Sequence, residues 1–266
     1  MNDTAVYLFG FARLEPVRGF VYAGFEEIGT AGPWEIEGLA VLVSPVPQGA
    51  IESGLTREPP DPSWIVPRAL HHERVIEAAL AKAPVLPVRF GCVFSSQEAL
   101  EGVVRQHRDP IEAFLHDIVD LEEWSLKAYL DLGQAEQVLL ETDPVLSPRY
   151  RGLPTSPGTR YFLEKRLRAS ARDEARRAGR KAAARVRHAV METGVRHQVL
   201  SAQGEDGGGR ELLLKLALLI PRGRLDEVFA TAEGAPAEAG AVPLVLERSG
   251  PWPPYHFCPS LGEPTR

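Results

Sequence analysis

Three stretches hold residue types that could do chemistry. His71-His72-Glu73 offers two imidazoles beside a carboxylate. Adjacent histidines on a helix point to different faces, and no H-E-x-x-H follows, so an i, i+4 metal pair is not expected. One histidine turned inward and hydrogen-bonded is the expected arrangement. The second stretch, Ala83 to Phe94, carries Arg89 and Cys92. Read as a strand, it sets Leu86, Val88, Phe90, Cys92 and Phe94 on one side. An apolar setting of that kind raises a thiol pKa and blunts its reactivity, so Cys92 is read as structural rather than as a nucleophile. Arg89 projects from the other, part-apolar face, where a charge needs a partner or water. His72 or Glu73 is expected to neutralise it across a helix–strand interface, a buried pair that orients elements rather than one that reacts.

The third stretch is basic. From Thr159 to Val190 there are eleven Lys or Arg against three acidic residues, which leaves −14 on the rest of a chain whose net charge is −6. Such a run is a solvated helix face or a docking surface for an acidic partner, with Arg172, Arg176 and Arg180 the candidate contacts. Near the C-terminal end, Trp252-Pro253-Pro254-Tyr255 is either a rigid tail packed on its own domain or a stiff ligand for an aromatic groove. Trp252 and Tyr255 are the residues that would make that contact. Gly204 to Gly209 matches neither glycine-rich phosphate cradle. Glu26-Glu27 and Glu122-Glu123 are neighbours in sequence only. No catalytic, cofactor or metal site is read, and no cofactor is expected.

The elements that must hold these residues are of mixed type. Thr4 to Phe11 is apolar on both alternating sets, as in a strand covered on both faces. Phe20 to Tyr22 is a weaker strand, and Glu35 to Ser44 a clearer one ended by Pro45 and Pro47. A helix over Trp64 to Ala83 starts from Ser63 as N-cap. It leads into the Ala83–Phe94 strand, whose prolines suit a strand start or a sheet edge. Helices over Gln97 to Arg105 and Ile111 to Val119 are broken around Asp109-Pro110. Glu122 to Leu132 alternates cleanly, a short helical piece covers Gln134 to Glu141, and Pro144 to Gly158 reads as a connector.

A helix then runs from Thr159 to about Val190. Its stripe is Leu163, Leu167, Ala171, Ala175, Ala178, Ala182, Val186 and Ala189. A helix of that length outruns one small sheet, so its later part is expected to project or to pack on another helix, its alanines permitting close approach. Gly194 stops it. Val195 to Ala202 and Leu212 to Ile220 are strands joined at the Gly204–Gly209 tip. Arg224 to Glu233 is a helix, and Ala241 to Leu246 a last strand. The fold class is therefore α+β, with two domains. Residues 1–120 form a smaller, modified α+β sheet domain. Residues 121–266 form a ferredoxin-like β-α-β-β-α-β domain with the long, partly projecting basic helix and the Pro-aromatic tail.

The chain of 266 residues is long enough for two cores. Its longest apolar run, Leu212 to Ile220, is too short to cross a membrane. Met1 to Thr4 has no basic n-region, so no signal peptide is expected. Two cysteines make no disulfide framework. These features point to a soluble cytoplasmic protein with no membrane partner. A nucleic-acid partner is not expected either, because Leu212 to Ile220 carries no aromatic to stack a base and the chain is acidic.

His72 to Phe94 (HERVIEAALAKAPVLPVRFGCVF) resembles the GvpF/GvpL family of gas vesicle proteins, whose members carry a His-Glu helix leading into a PVLPxRFGTxF-like strand. Val6 to Gly10, Ser156 to Arg166 (SPGTRYFLEKR) and Gly250 to Phe257 (GPWPPYHF) fit the same family, with Cys92 where threonine is common. The resemblance spans nearly the whole chain. It implies a non-enzymatic accessory or minor structural protein of gas vesicles, acting in assembly or nucleation. The implied partners are the small shell subunit (GvpA-like) and other accessory gas vesicle proteins, in the cytoplasm and at the gas vesicle. A nucleic-acid-binding ferredoxin-like module and an enzyme with an unrecognised site are the alternatives that the residues themselves leave open.

Overall fold

The computed structural model describes residues 4–202, 209–235 and 242–261. Its chain divides into two units: the residues up to Leu121 together with those from Trp252 on, and Glu122–Pro251.

In the first unit the spine is β1 (Thr4–Arg13), buried on both faces from Ala5 to Ala12. A short helix, α1 (Leu14–Val17), follows. Next come β2 (Gly32–Ile36) and β3 (Leu39–Pro47), where one strand over Glu35 to Ser44 was expected. Glu37 and Gly38 both take positive φ, 51° and 80°. Two left-handed residues make the tight turn that suits the twist of a hairpin, and this splits the apolar run in two. The stretch around Phe20 to Tyr22 contributes only an isolated bridge between Tyr22 and Ala31. β3 lies antiparallel to β1 from Thr4↔Pro47 to Arg13↔Leu39, with a register shift between Leu8 and Gly10.

After α2 (Ala50–Leu55) comes α3 (Pro62–Leu80). Its N-cap is Asp61, not Ser63: the Asp61 carboxylate accepts from the Ser63 backbone N–H at 3.0 Å and from the Ser63 hydroxyl at 2.6 Å. The following run is not one strand either. β4 (Val85–Pro87) and β5 (Val93–Phe94) both pair with β1, and between them the chain turns through Gly91 at φ +88°. The sheet order is β2-β3-β1-β4, with β5 also on β1. α4 (Gln97–Asp117) runs unbroken through Pro110. It buries Leu100, Val104, Ile111 and Leu115 on one stripe, and burial on both sides of the proline outweighs the one hydrogen bond lost there.

The second unit opens with β6 (Leu121–Leu130), which buries Leu126, Ala128 and Leu130 as its alternation predicts, and buries Glu123 and Tyr129 from the opposite set as well. α5 (Leu132–Thr142) is capped by Asp131. α6 (Leu146–Arg151) occupies what reads as a connector; the Asp143 carboxylate accepts the N–H groups of Val145 and Leu146, both at 2.8 Å. Then come α7 (Pro157–Glu192), β7 (Arg196–Val199), β8 (Glu211–Pro221), α8 (Leu225–Gly234) and β9 (Leu244–Trp252). The expected hairpin tip at Gly204–Gly209 lies, apart from Gly209, outside the described residues. The sheet order is β7-β8-β6-β9, with β7 and β8 antiparallel from Arg196↔Leu219 to Val199↔Leu216. The molecule is thus mixed helix and sheet, with two antiparallel sheets. In the second unit the element order β-α-β-β-α-β is present, with α5 and α6 added ahead of α7.

α7 has 36 residues and spans roughly 54 Å at ~1.5 Å per residue. Its later part was expected to project or to pack on another helix, and the structure shows packing, with Val186 and Val190 in one core with Val228, Phe229 and Ala232 of α8. Ala183, Val186 and Val190 pack with Leu216, Leu218 and Ile220 of β8. A Cβ on Gly179 would stand 2.9 Å from Leu213 and 3.0 Å from Leu130, so the glycine lets the helix axis come close to the sheet. The first turns project instead: Tyr161, Phe162 and Leu163 are 61%, 72% and 41% exposed. The Pro-aromatic tail, expected with the second domain, belongs to the first unit, where Tyr255 packs against the core that holds Tyr7 and Phe9.

Candidate functional site

Two polar centres emerge, one in each unit. In the first, α3 turns both His71 and His72 inward. His71 packs face to face on Phe25, and its Nε2 is buried without a hydrogen-bond partner. His72 is fully buried and bridges two segments. Its Nε2 lies 2.9 Å from the Val88 carbonyl, and its Nδ1 lies 2.9 Å from the Tyr7 hydroxyl. A carbonyl only accepts, so Nε2 carries the proton and Nδ1 accepts from Tyr7. The Gly91 N–H in turn donates to the Tyr7 oxygen at 3.2 Å. The chain of donors, Gly91 to Tyr7 to His72 to Val88, ties α3 and β1 to the turn between β4 and β5. Burial pushes the His72 pKa down to about 4, although the Val88 carbonyl works the other way. The ring is held neutral.

The anticipated Arg89 pair does not form. The turn through Gly91 carries Arg89 to an exposed position, so neither His72 nor Glu73 neutralises it. Glu73 instead accepts a 2.8 Å hydrogen bond from the Tyr255 hydroxyl, which fastens the tail to α3. Burial raises the Glu73 carboxyl despite that bond. Cys92 is half-buried, with burial pushing its thiol up to about 11, the inert character that its neighbours predict. Among the described residues, no group of His, Cys, Asp or Glu could hold a metal ion, and no helix is long and apolar enough to cross a membrane.

In the second unit, α7 uses much of its charge internally. Glu136 on α5 has a side chain only 4% exposed; it accepts from Arg168 at 2.6 Å and from Arg172 at 2.5 Å. Burial opposes its charge, and the two guanidinium groups more than offset that, holding the carboxyl below its ordinary range. Arg168 also reaches Glu164, and Arg176 reaches Glu211 at 3.0 Å. Of the three arginines nominated as partner contacts, Arg172 and Arg176 are therefore engaged within the unit, while Arg180 is exposed. Trp252 is partly exposed at the end of β9, and Tyr255 is committed to Glu73.

Sequence reasoning missed one feature. Between α6 with its following loop and the first half of α7 lies an open groove of about 750 Å³, walled by Pro148, Leu153, Pro154, Leu163 and Leu167. Leu163, which lines it, closes the triplet Tyr161-Phe162-Leu163, an aromatic-aliphatic run in an otherwise charged helical turn and the signal the sequence offers.

The comparisons with known proteins agree with this architecture. The family model described as gas vesicle synthesis protein GvpL/GvpF matches residues 5–259. A curated relative, "Gas vesicle protein L" of Streptomyces sp. (strain CB03234), is 26% identical over 264 residues, covering 97% of this chain and 94% of its own length. The crystal structure of gas vesicle protein GvpF from Microcystis aeruginosa superposes with a TM-score of 0.58 at 18% identity, over 96% of this chain and 99% of that one. The GvpF structure from Anabaena sp. PCC7120 gives 0.59 at 17% identity, over 96% of each chain. Both likenesses are of fold. With the family match running through both units and the Tyr255 segment, the chain belongs to the gas vesicle synthesis protein GvpL/GvpF family.

Proposed function

We propose that this protein is a non-catalytic accessory or minor structural component of gas vesicles. It acts in the cytoplasm, in vesicle assembly or nucleation, by direct contact with the small shell subunit and with other accessory gas vesicle proteins. The observation that carries this reading is the family match over residues 5–259. The surface of the second unit supports it. Exposed Tyr161, Phe162 and Leu163 adjoin a basic stretch, and an apolar patch rimmed by charge is the usual form of a protein-docking surface. Held against such a surface, a hydrophobic shell subunit would be kept from premature polymerisation. Removing Thr159 to Val190 outright is a poor test, because Ala171, Ala175, Val186 and Val190 belong to the core.

Co-purification is the better one. The tagged protein expressed with the shell subunit is expected to retain it in soluble, stoichiometric form, while the shell subunit alone is not recovered. Failure to retain it would contradict direct shell contact.

A further inference from the structure

We infer that the groove between α6 and α7 is a docking site for an acidic amphipathic helix of a partner protein. This inference rests on the assembly reading and specifies the surface it uses. Leu163, Arg166, Leu167 and Ser170 line one wall at spacings of i, i+3, i+4 and i+7, a strip two helical turns long. Pro148, Leu153 and Pro154 form the facing wall. Apolar side chains on two facing segments fit the apolar face of a helix, whose anchors recur at the same i, i+3, i+4, i+7 spacing.

Charge decides the partner's chemistry. Residues 145–170 hold six Lys or Arg and a single acidic residue, Glu164. Arg149 and Arg166 stand at the rim, Lys165 beside it, all exposed and with no carboxylate within 4.0 Å among the described residues. Arg168, by contrast, is paired with Glu136 and Glu164. Among the described residues the rim charge is therefore uncompensated, and a partner that brings Glu or Asp beside its apolar anchors supplies what is missing. The shape argues against nucleic acid. Tyr161 and Phe162 meet edge to face, at 5.6 Å and 75°, rather than presenting parallel faces for base stacking. A lipid surface calls for a convex apolar wedge, and the apolar side chains here line a concavity.

The test uses the full chain and a fluorescein-labelled helical peptide of about fourteen residues, Leu on one face and Glu on the other. Anisotropy should rise with the wild-type protein, and affinity should fall at least tenfold in Arg149→Glu/Arg166→Glu. Leu163→Gln, which leaves the charge intact, should weaken binding as well. A counterpart peptide with Lys for Glu, phosphatidylglycerol vesicles and single-stranded RNA should not bind. The inference is overturned if the acidic peptide does not bind, if the charge-reversed variant binds it equally, or if vesicles or RNA bind instead. The same variants carried into co-purification separate the two readings. Shell-subunit retention that survives Arg149→Glu/Arg166→Glu sinks the groove alone, whereas loss of retention by the wild-type protein sinks direct shell contact whatever the peptide does.

Discussion

His72 is the residue whose surroundings most constrain the first unit. It donates to Val88 and accepts from Tyr7, so its neutral form is built into the fold. With a folded pKa of about 4 against an ordinary value near 6.5, the unfolded chain binds more protons between those limits. The stability this residue contributes is fully present above pH 6.5 and is lost as pH falls toward 4. Between pH 7 and 5.5, the unfolding free energy of the wild type should fall by about 1 kcal/mol more than that of His72→Gln. Urea titrations at the two pH values read the difference, and parallel losses in both proteins would contradict the assignment. Burial lowers His71 too, so only the comparison with the variant isolates His72. That a histidine of this helix turns inward and is hydrogen-bonded was legible in sequence. Its partners were not. Tyr7 lies 65 positions away, and the direction of Arg89 depends on the left-handed turn at Gly91, which alternation cannot register.

At the scale of elements, α7 is clamped to α5 through one buried carboxylate and two half-exposed arginines. The arrangement makes the two sides unequal. If Glu136 is replaced by Leu, Arg168 and Arg172 can turn to water, and the cost should be under about 1.5 kcal/mol. If both arginines become Met, a carboxylate 4% exposed is left without its partners, and the cost should reach about 3–5 kcal/mol. Thermal or urea unfolding of the two variants checks this; equal costs would mean that Glu136 finds solvent or another donor. The 3.7-residue period predicted α7 itself within two residues at either end. Which end projects was not readable from period alone. It depends on Gly179 and the alanines, whose missing bulk lets the later turns approach the sheet, while Tyr161 and Phe162 cannot. Pro110 and the Glu37-Gly38 turn mislead for a related reason: local preference gave way to burial in one case, and a two-residue turn hid inside an apolar run in the other.

At the scale of the whole molecule, the sequence carried the α+β class and the family through spaced motifs in both units, and the tail's return to the first unit became visible only through Tyr255 and Glu73. The candidate site was the least legible part, since a groove is made by two segments whose approach no single pattern encodes. The family match places the molecule in the gas vesicle synthesis protein GvpL/GvpF family, and the proposed assembly role draws on the exposed aromatic turn and on rim arginines that have no carboxylate partner among the described residues. The most direct measurement is gas vesicle formation in cells carrying the remaining gas vesicle genes with and without this chain, read as light scattering that collapses under applied pressure. Collapsible scattering should appear only when the chain is present. Equal scattering in its absence would contradict a role in assembly.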